Sequence, residues 1–320
     1  MQLAALGVSL VAASAAPTLT VLIGASLAIG VVATIAQQVV PFSAELAPAA
    51  ERGHAVGTVM SDLLLGILLA RTVLGGAQYF GWRAVFGASV IATIVLAAVV
   101  VMRLPKSHPT STLPYSKLLA SLWHLSVENP GLREAVLTGG SLFAAFSAFW
   151  SLLTLLLAGE PFHMGPQAAG LFGIVGAAGA LAAPLAGKSA DRRGPRAVTT
   201  LSIGLVAISF VVFALSARSI AGLVVGVIVL DIGVHAAQVS NQSRIYALRP
   251  EACSRVNMVN MVNMVYMVAY SIGGAAGSAL ASLAWHAMGW TGVCIIELAA
   301  SGLAGFSHWR GRDARDTGAP

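Results

Sequence analysis

Charge is scarce in this 320-residue sequence: Asp, Glu, Lys and Arg together make up 9% of it. Soluble domains carry roughly 25%, so the chain lacks the polar material to cover itself with a hydrated surface. An ordinary water-soluble globule is excluded on that ground. Cysteine is scarcer still. Cys253 and Cys294 are too few and too differently placed for a disulfide framework or a metal site. Chemical motifs are missing as well: there is no H-E-x-x-H or other metal spacing, no G-x-x-x-x-G-K-[ST] phosphate loop, and no nucleophile, base and orienter set together. These gaps argue against an enzyme and against an ATP-driven pump, and they call for no cofactor. A channel would need a ring-forming motif, which is not seen either.

What the sequence does have is apolar length. Hydrophobic residues are 57% of the chain and the mean hydropathy is +0.84. The net charge of +6 raises nucleic acid as a partner, but the basic residues sit in short loops between apolar runs. That placement is a topology signal rather than a binding patch. Leu3–Ala16 is apolar yet short of the ~20 residues a helix needs to cross the hydrocarbon. Its end, Ala12-Ala13-Ser14-Ala15-Ala16, looks like a signal-peptidase site without the positive region that should precede it, so it reads as a clipped membrane helix. Full spans follow at Thr18–Val40, Ala55–Gln78 and Trp82–Arg103. Residues 104–131, with Lys106, Lys117, Glu128 and four prolines, form the one extended polar segment and read as a linker. Six more spans are expected at Leu132–Gly159, Pro166–Gly187, Arg196–Ala217, Ile220–Ser243, Val256–Leu283 and Trp285–Phe306. The expected architecture is an all-α membrane protein of ten helices: a four-span bundle over 1–103, the linker, a six-span bundle over 132–306, and a charged tail at 307–320.

The basic residues also orient these spans. With the linker, the Gly187–Arg196 loop and both termini placed in the cytoplasm, 15 of the 18 Lys and Arg residues lie inside. Only Arg83 and Arg218 fall outside, and Arg71 is within a span.

The loop Gly187-Lys188-Ser189-Ala190-Asp191-Arg192-Arg193-Gly194-Pro195-Arg196 is where the basic residues concentrate. Gly194 allows a tight turn, the arginines hold the loop on the cytoplasmic side, and Asp191 can pair with them or sit at a helix N-terminus. The pattern G-x-x-x-D-R-x-G-x-R resembles the signature loop of the major facilitator superfamily of secondary transporters. The segment Gly57…Gly66…Ala70-Arg71…Gly75-Gly76 resembles the glycine-rich fifth-helix motif of proton-coupled exporters in that superfamily, departing from it where Ala70-Arg71 replaces the usual Gly-Pro. The resemblance implies two helical bundles rocking about a central site, in the bacterial inner membrane. It also implies a drug- or sugar-like small molecule moved outward against an incoming proton by a monomer in the lipid bilayer. In this loop Gly187, Asp191, Arg192, Gly194 and Arg196 are the expected conformational-switch residues.

An internal repeat fits such a carrier. Ala36-Gln37-Gln38-Val39 recurs as Ala236-Ala237-Gln238-Val239. Leu46-Ala47-Pro48 with Arg52 recurs as Leu248-Arg249-Pro250 with Arg255, and Gly81-Trp82 recurs as Gly289-Trp290. Carried back to the start, the offset leaves roughly 65–70 residues unaccounted for, enough for two helices of ~20 apolar residues with their loops. The expectation is a twelve-helix transporter without its first two helices. The triplet Val-Asn-Met at Val256–Met264 reads as a local duplication that lengthens the second copy.

Polar groups within the spans are the candidates for chemistry, because a charge at mid-bilayer costs ~2.5–3.5 kcal/mol and usually faces a cavity or a partner. Asp231, His235, Gln238 and Gln242 follow a 4, 3, 4 spacing and share one helix face. Asp231 lies midway through its span, at the depth of transporter sites. The adjacent His235 can exchange a proton near neutral pH. Arg71 cannot lose its charge and needs a partner. Gln38 is the repeat-mate of Gln238. Phe143, Phe146 and Trp150 form an aromatic stripe, which either lines a substrate cavity or packs against neighbours. Gly273, Gly274, Gly277 and Ser278 allow close helix approach. Glu297 has no evident partner in the sequence. Two readings stay open: a small-molecule carrier with Asp231 and His235 at its coupling site, or a truncated relative that no longer transports.

Overall fold

The computed structural model describes residues 2–33, 66, 70, 80–103, 129–176, 194–246 and 255–316. Every element named in it is an α-helix: α1 Gln2–Ser14, α2 Leu19–Val32, α3 Trp82–Arg103, α4 Pro130–Ala158, α5 Pro195–Leu215, α6 Ile220–Tyr246 and α7 Arg255–Asp316. Among the described residues, five helical stretches are long and apolar enough to cross a membrane. The chain divides into two compact units, residues 1–112 with 166–171 and residues 113–165 with 172–320.

In the first unit α1 packs on α2 and α3. Ser9, Leu10 and Ala13 of α1 and Thr93 of α3 are buried, while Leu19, Leu27, Ile91 and Val101 are exposed. Such an apolar exterior suits hydrocarbon rather than water. Hydroxyls are satisfied within their own helices, as lipid surroundings require: Ser9 donates to the Ala5 carbonyl at 2.9 Å and Thr93 to that of Ser89 at 2.8 Å. Arg83, at the start of α3, donates to the Ala16 carbonyl at 2.7 Å and stacks on Trp82. α3 begins and ends where the hydropathy predicts.

In the second unit α4 lies along the first arm of α7, and α5 packs against α6 and α7. Asn129 caps α4 by accepting from the Leu132 amide, with Pro130 in the first turn, a start signal favoured because proline gives up an N–H the helix could not use. α5 starts in the same way at Pro195, after Gly194 at φ 83°. A side chain is strained at that angle and glycine is not.

α4 and α7 approach through small residues. A Cβ at Gly273 would overlap the backbone of Gly140, one at Gly277 the backbone of Ala144, and one at Gly139 the ring of Tyr266. Ser151 and Ser278 meet hydroxyl to hydroxyl at 2.9 Å. The small-residue spacing expected at Gly273 and Gly277 therefore serves packing.

Several helix ends differ from the expectation by one to three residues, and two boundaries of α7 differ by more. The break between the last two spans falls at Gly289 (φ 62°, ψ −148°), five residues after the predicted Ala284. His286 and Thr291 flank the break without fixing it, and glycine's backbone freedom marks the bend. The second arm also runs beyond Phe306 to Asp316, so His308 belongs to the bundle and not to a loose tail.

Candidate functional site

Four helix ends of the second unit meet at one carboxylate. Glu134, in the second turn of α4, is 4% exposed. Its Oε2 accepts from Arg244 Nη2 at 2.6 Å and from Arg196 Nη2 at 3.1 Å, and its Oε1 accepts from His308 Nδ1 at 2.8 Å. Arg196 opens α5, Arg244 closes α6 and His308 lies near the end of α7, so one acid ties together all four helices. The dipoles suit this: the acid sits at the starts of α4 and α5, and the Arg244 cation sits at the end of α6. Charge-assisted hydrogen bonds of this kind are shorter and about twice as strong as neutral ones.

Neighbouring polar groups extend the cluster. His308 Nε2 meets Thr200 Oγ1 at 2.9 Å, and Ser240 donates to the Pro195 carbonyl while bonding Thr199 at 3.1 Å. Gly311 lies so close to Glu134 that a Cβ there would overlap the carboxylate. The opposite end of the unit is fastened by rings instead. Phe149 stacks on Phe213 at 4.4 Å, Trp290 meets both edge-on, and Trp290 Nε1 donates to the Phe213 carbonyl at 3.2 Å.

The second feature is the polar face of α6. Asp231 is 1% exposed, whereas His235, Gln238 and Gln242 are half-buried. His235 Nδ1 donates to the Asp231 backbone carbonyl at 2.8 Å, which fixes the ring one turn along the helix. The His235 ring also stands edge-on to Phe146 of α4, with centroids 6.0 Å apart. Phe146 in turn neighbours Trp150 and Phe143, and Phe143 stacks on Tyr270 of α7 at 3.9 Å. The aromatic stripe of α4 and the histidine of α6 thus form one surface. A histidine beside aromatic walls, with a carboxylic acid and two amides on its own helix face, sets polar and apolar contacts side by side.

Of the residues singled out from sequence, Asp231, His235, Gln238, Gln242 and Trp150 are brought into this region. Gly194 and Arg196 belong to the charge cluster. Gln38, Arg71, Gly187, Asp191 and Arg192 lie outside the described residues. Glu134, Arg244 and His308 were missed as a site. Each looks like an ordinary polar residue near a helix end, and the partners of Glu134 are 62, 110 and 174 positions away. No local spacing reports such a meeting.

Comparison with known proteins places this geometry in context. A sequence profile described as Major Facilitator Superfamily matches residues 1–278 and again residues 135–320. The chain is 38% identical over 312 residues to the uncharacterized transporter YgaY of Escherichia coli O157:H7, covering 97% of this chain and 77% of YgaY. It is 36% identical over 265 residues to the probable transporter SCO4007 of Streptomyces coelicolor, covering 82% of this chain and 60% of that one. Among solved structures, a bacterial homologue of the human lysosomal transporter Spinster, inward-facing and occupied, aligns with a TM-score of 0.71 at 14% identity, covering 99% of this chain and 81% of the other.

Proposed function

This chain belongs to the major facilitator superfamily, and on that premise we propose that it is a proton-coupled exporter of a drug- or sugar-like small molecule, working by alternating access in the inner membrane. It is a multi-pass membrane transporter of the superfamily's type and not an enzyme. The observation that carries the finer reading is the α6 face, where buried Asp231 is followed one turn later by His235 bonded to its carbonyl. A carboxylic acid in an apolar span stays there only with a partner or a function, and an imidazole one turn away offers a second group that can carry a proton. Gln238, Gln242 and Trp150 supply substrate contacts. Gly194 and Arg196, with Asp191, Gly187 and Arg192 preceding them, supply the switch loop. In this reading the Glu134 cluster faces the cytoplasm, the side to which the basic loops point.

The test uses the purified full-length chain. A thermal-shift screen of amphipathic cations and sugars finds a ligand, and proteoliposomes with a pH gradient then report its movement. Ligand-dependent proton flux, abolished by Asp231→Asn with binding retained, is the expected result. Transport unchanged by Asp231→Asn removes the coupling role. Binding without any transport in the wild-type chain favours the non-transporting alternative.

A further inference from the structure

The second arm of α7 carries a charge-capable group that neither the cluster nor the α6 face uses. Glu297 is fully buried, and neither Oε1 nor Oε2 has a hydrogen-bond partner. Its depth follows from two contacts on the same arm. Trp290 is bonded to the Phe213 carbonyl at one end of α5, and His308 to Thr200 near the other. Glu297 lies seven residues from the first and eleven from the second, roughly 10 Å and 16 Å at the helical rise. It is therefore well inside the span, about two turns from one marker and three from the other.

Among the described residues its surroundings offer no counter-charge. A Cβ at Gly305 would come into van der Waals contact with Ile203 of α5, so Glu297 lies level with the stretch between Ile203 and Phe213. That stretch holds only apolar residues and Ser209, whose hydroxyl donates to the Val206 carbonyl. The one charged residue of α5 is Arg196, at its start and bound to Glu134. On α4 the charged groups are Arg133 and Glu134, and on α6 they are Asp231, His235 and Arg244. On its own helix the nearest titratable group is the buried thiol of Cys294, one turn away, with His286 and His308 beyond. None of these gives either oxygen a hydrogen bond.

An ionised carboxylate without partner or water is prohibitively costly in such a place, and neutralisation is the ordinary escape. We propose that Glu297 is a membrane-embedded proton-binding site, resident as the neutral acid, and a modification site for hydrophobic carbodiimides. It is distinct from the Asp231–His235 face and does not depend on what the carrier transports. The modification follows from the acid form. The carboxyl proton passes to one carbodiimide nitrogen while the carboxylate oxygen bonds the central carbon, giving an O-acylisourea. With no water or amine at hand, the acyl group migrates to nitrogen as a stable N-acylurea. No atom leaves, so the peptide gains the mass of one whole reagent.

The experiment treats the full-length chain in lipid nanodiscs with dicyclohexylcarbodiimide and maps adducts by peptide mass spectrometry. The expected adduct is on Glu297, faster by at least about tenfold at pH 6 than at pH 10, since only the protonated acid reacts. The ion-paired Glu134 and the exposed Glu160 stay unmodified. A water-soluble carbodiimide with glycine ethyl ester marks Glu160 and spares Glu297. Glu297→Gln, isosteric and neutral, loses the adduct while keeping the helical circular dichroism of the parent. An unmodified Glu297 in the wild-type chain overturns the proposal, as does a rate that does not change with pH. Equal labelling by the water-soluble reagent also overturns it, because the side chain would then be open to water. All three readouts come from the wild-type chain, so the proposal is tested even if the variant misfolds.

Discussion

Glu134 shows how much a single residue can hold. It receives three side-chain bonds from three other helices at 3% side-chain exposure. Its two arginine partners are not equivalent. The Arg244 side chain is 8% exposed and that of Arg196 31%. Breaking a buried pair from one side leaves an uncompensated charge and costs about 3–5 kcal/mol, whereas a pair open to solvent contributes about 1 kcal/mol or less. Arg244→Ala should therefore lower the unfolding temperature in detergent far more than Arg196→Ala, as followed by tryptophan fluorescence. Equal losses would mean that Arg196 is as shielded in solution as Arg244. Nothing in the sequence around Glu134 announces this role, since Arg133 next to it makes the pair look like a solvated helix start. By contrast, the 4, 3, 4 run from Asp231 to Gln242 was legible because a single helix brings those residues together.

For the helices, the sequence says most about length and least about contact. Trp82–Arg103 was read to the residue, because a run of ~20 apolar residues bounded by polar ones is a local property. The α4–α7 contact shows the other case. Its glycines suggested close approach, yet only the structure pairs Gly273 with Gly140 and Gly277 with Ala144. Gly277→Val places three extra carbons against the α4 backbone, and overpacking of this kind costs roughly 1–3 kcal/mol. The variant should melt lower than the wild type. Gly302→Ala on the same helix should melt unchanged, because no atom lies within 4 Å of where its Cβ would go. A stable Gly277→Val chain would show that α7 can shift off α4. The bend at Gly289 belongs to this scale too. Its conformation is one that side chains avoid, but His286 and Thr291 beside it leave the position of the break open by several residues.

At the scale of the molecule, the apolar exterior and the basic loops bear on how the chain meets a bilayer. The turn between α5 and α6 holds Arg218, exposed and at the far end of α5 from the Glu134 cluster. With the cluster inward, a cysteine at this turn points outward. In a Cys253→Ser background, Arg218→Cys should react in intact cells with a membrane-impermeant maleimide, while buried Cys294 stays silent. Labelling only after the cells are broken would reverse the orientation.

The sequence alone determined that this is a helical membrane protein with the loop pattern of one transporter superfamily, because hydropathy and short motifs are written within a few turns of chain. It also located the α6 face, which one helix presents by its own period. Only the tertiary structure decided that Glu134 gathers Arg196, Arg244 and His308, that α7 bends at Gly289 and continues past Phe306, and that Glu297 is sealed between helices. Those facts depend on which distant residues share a space, and a buried charge takes its meaning from its neighbours rather than from its place in the chain.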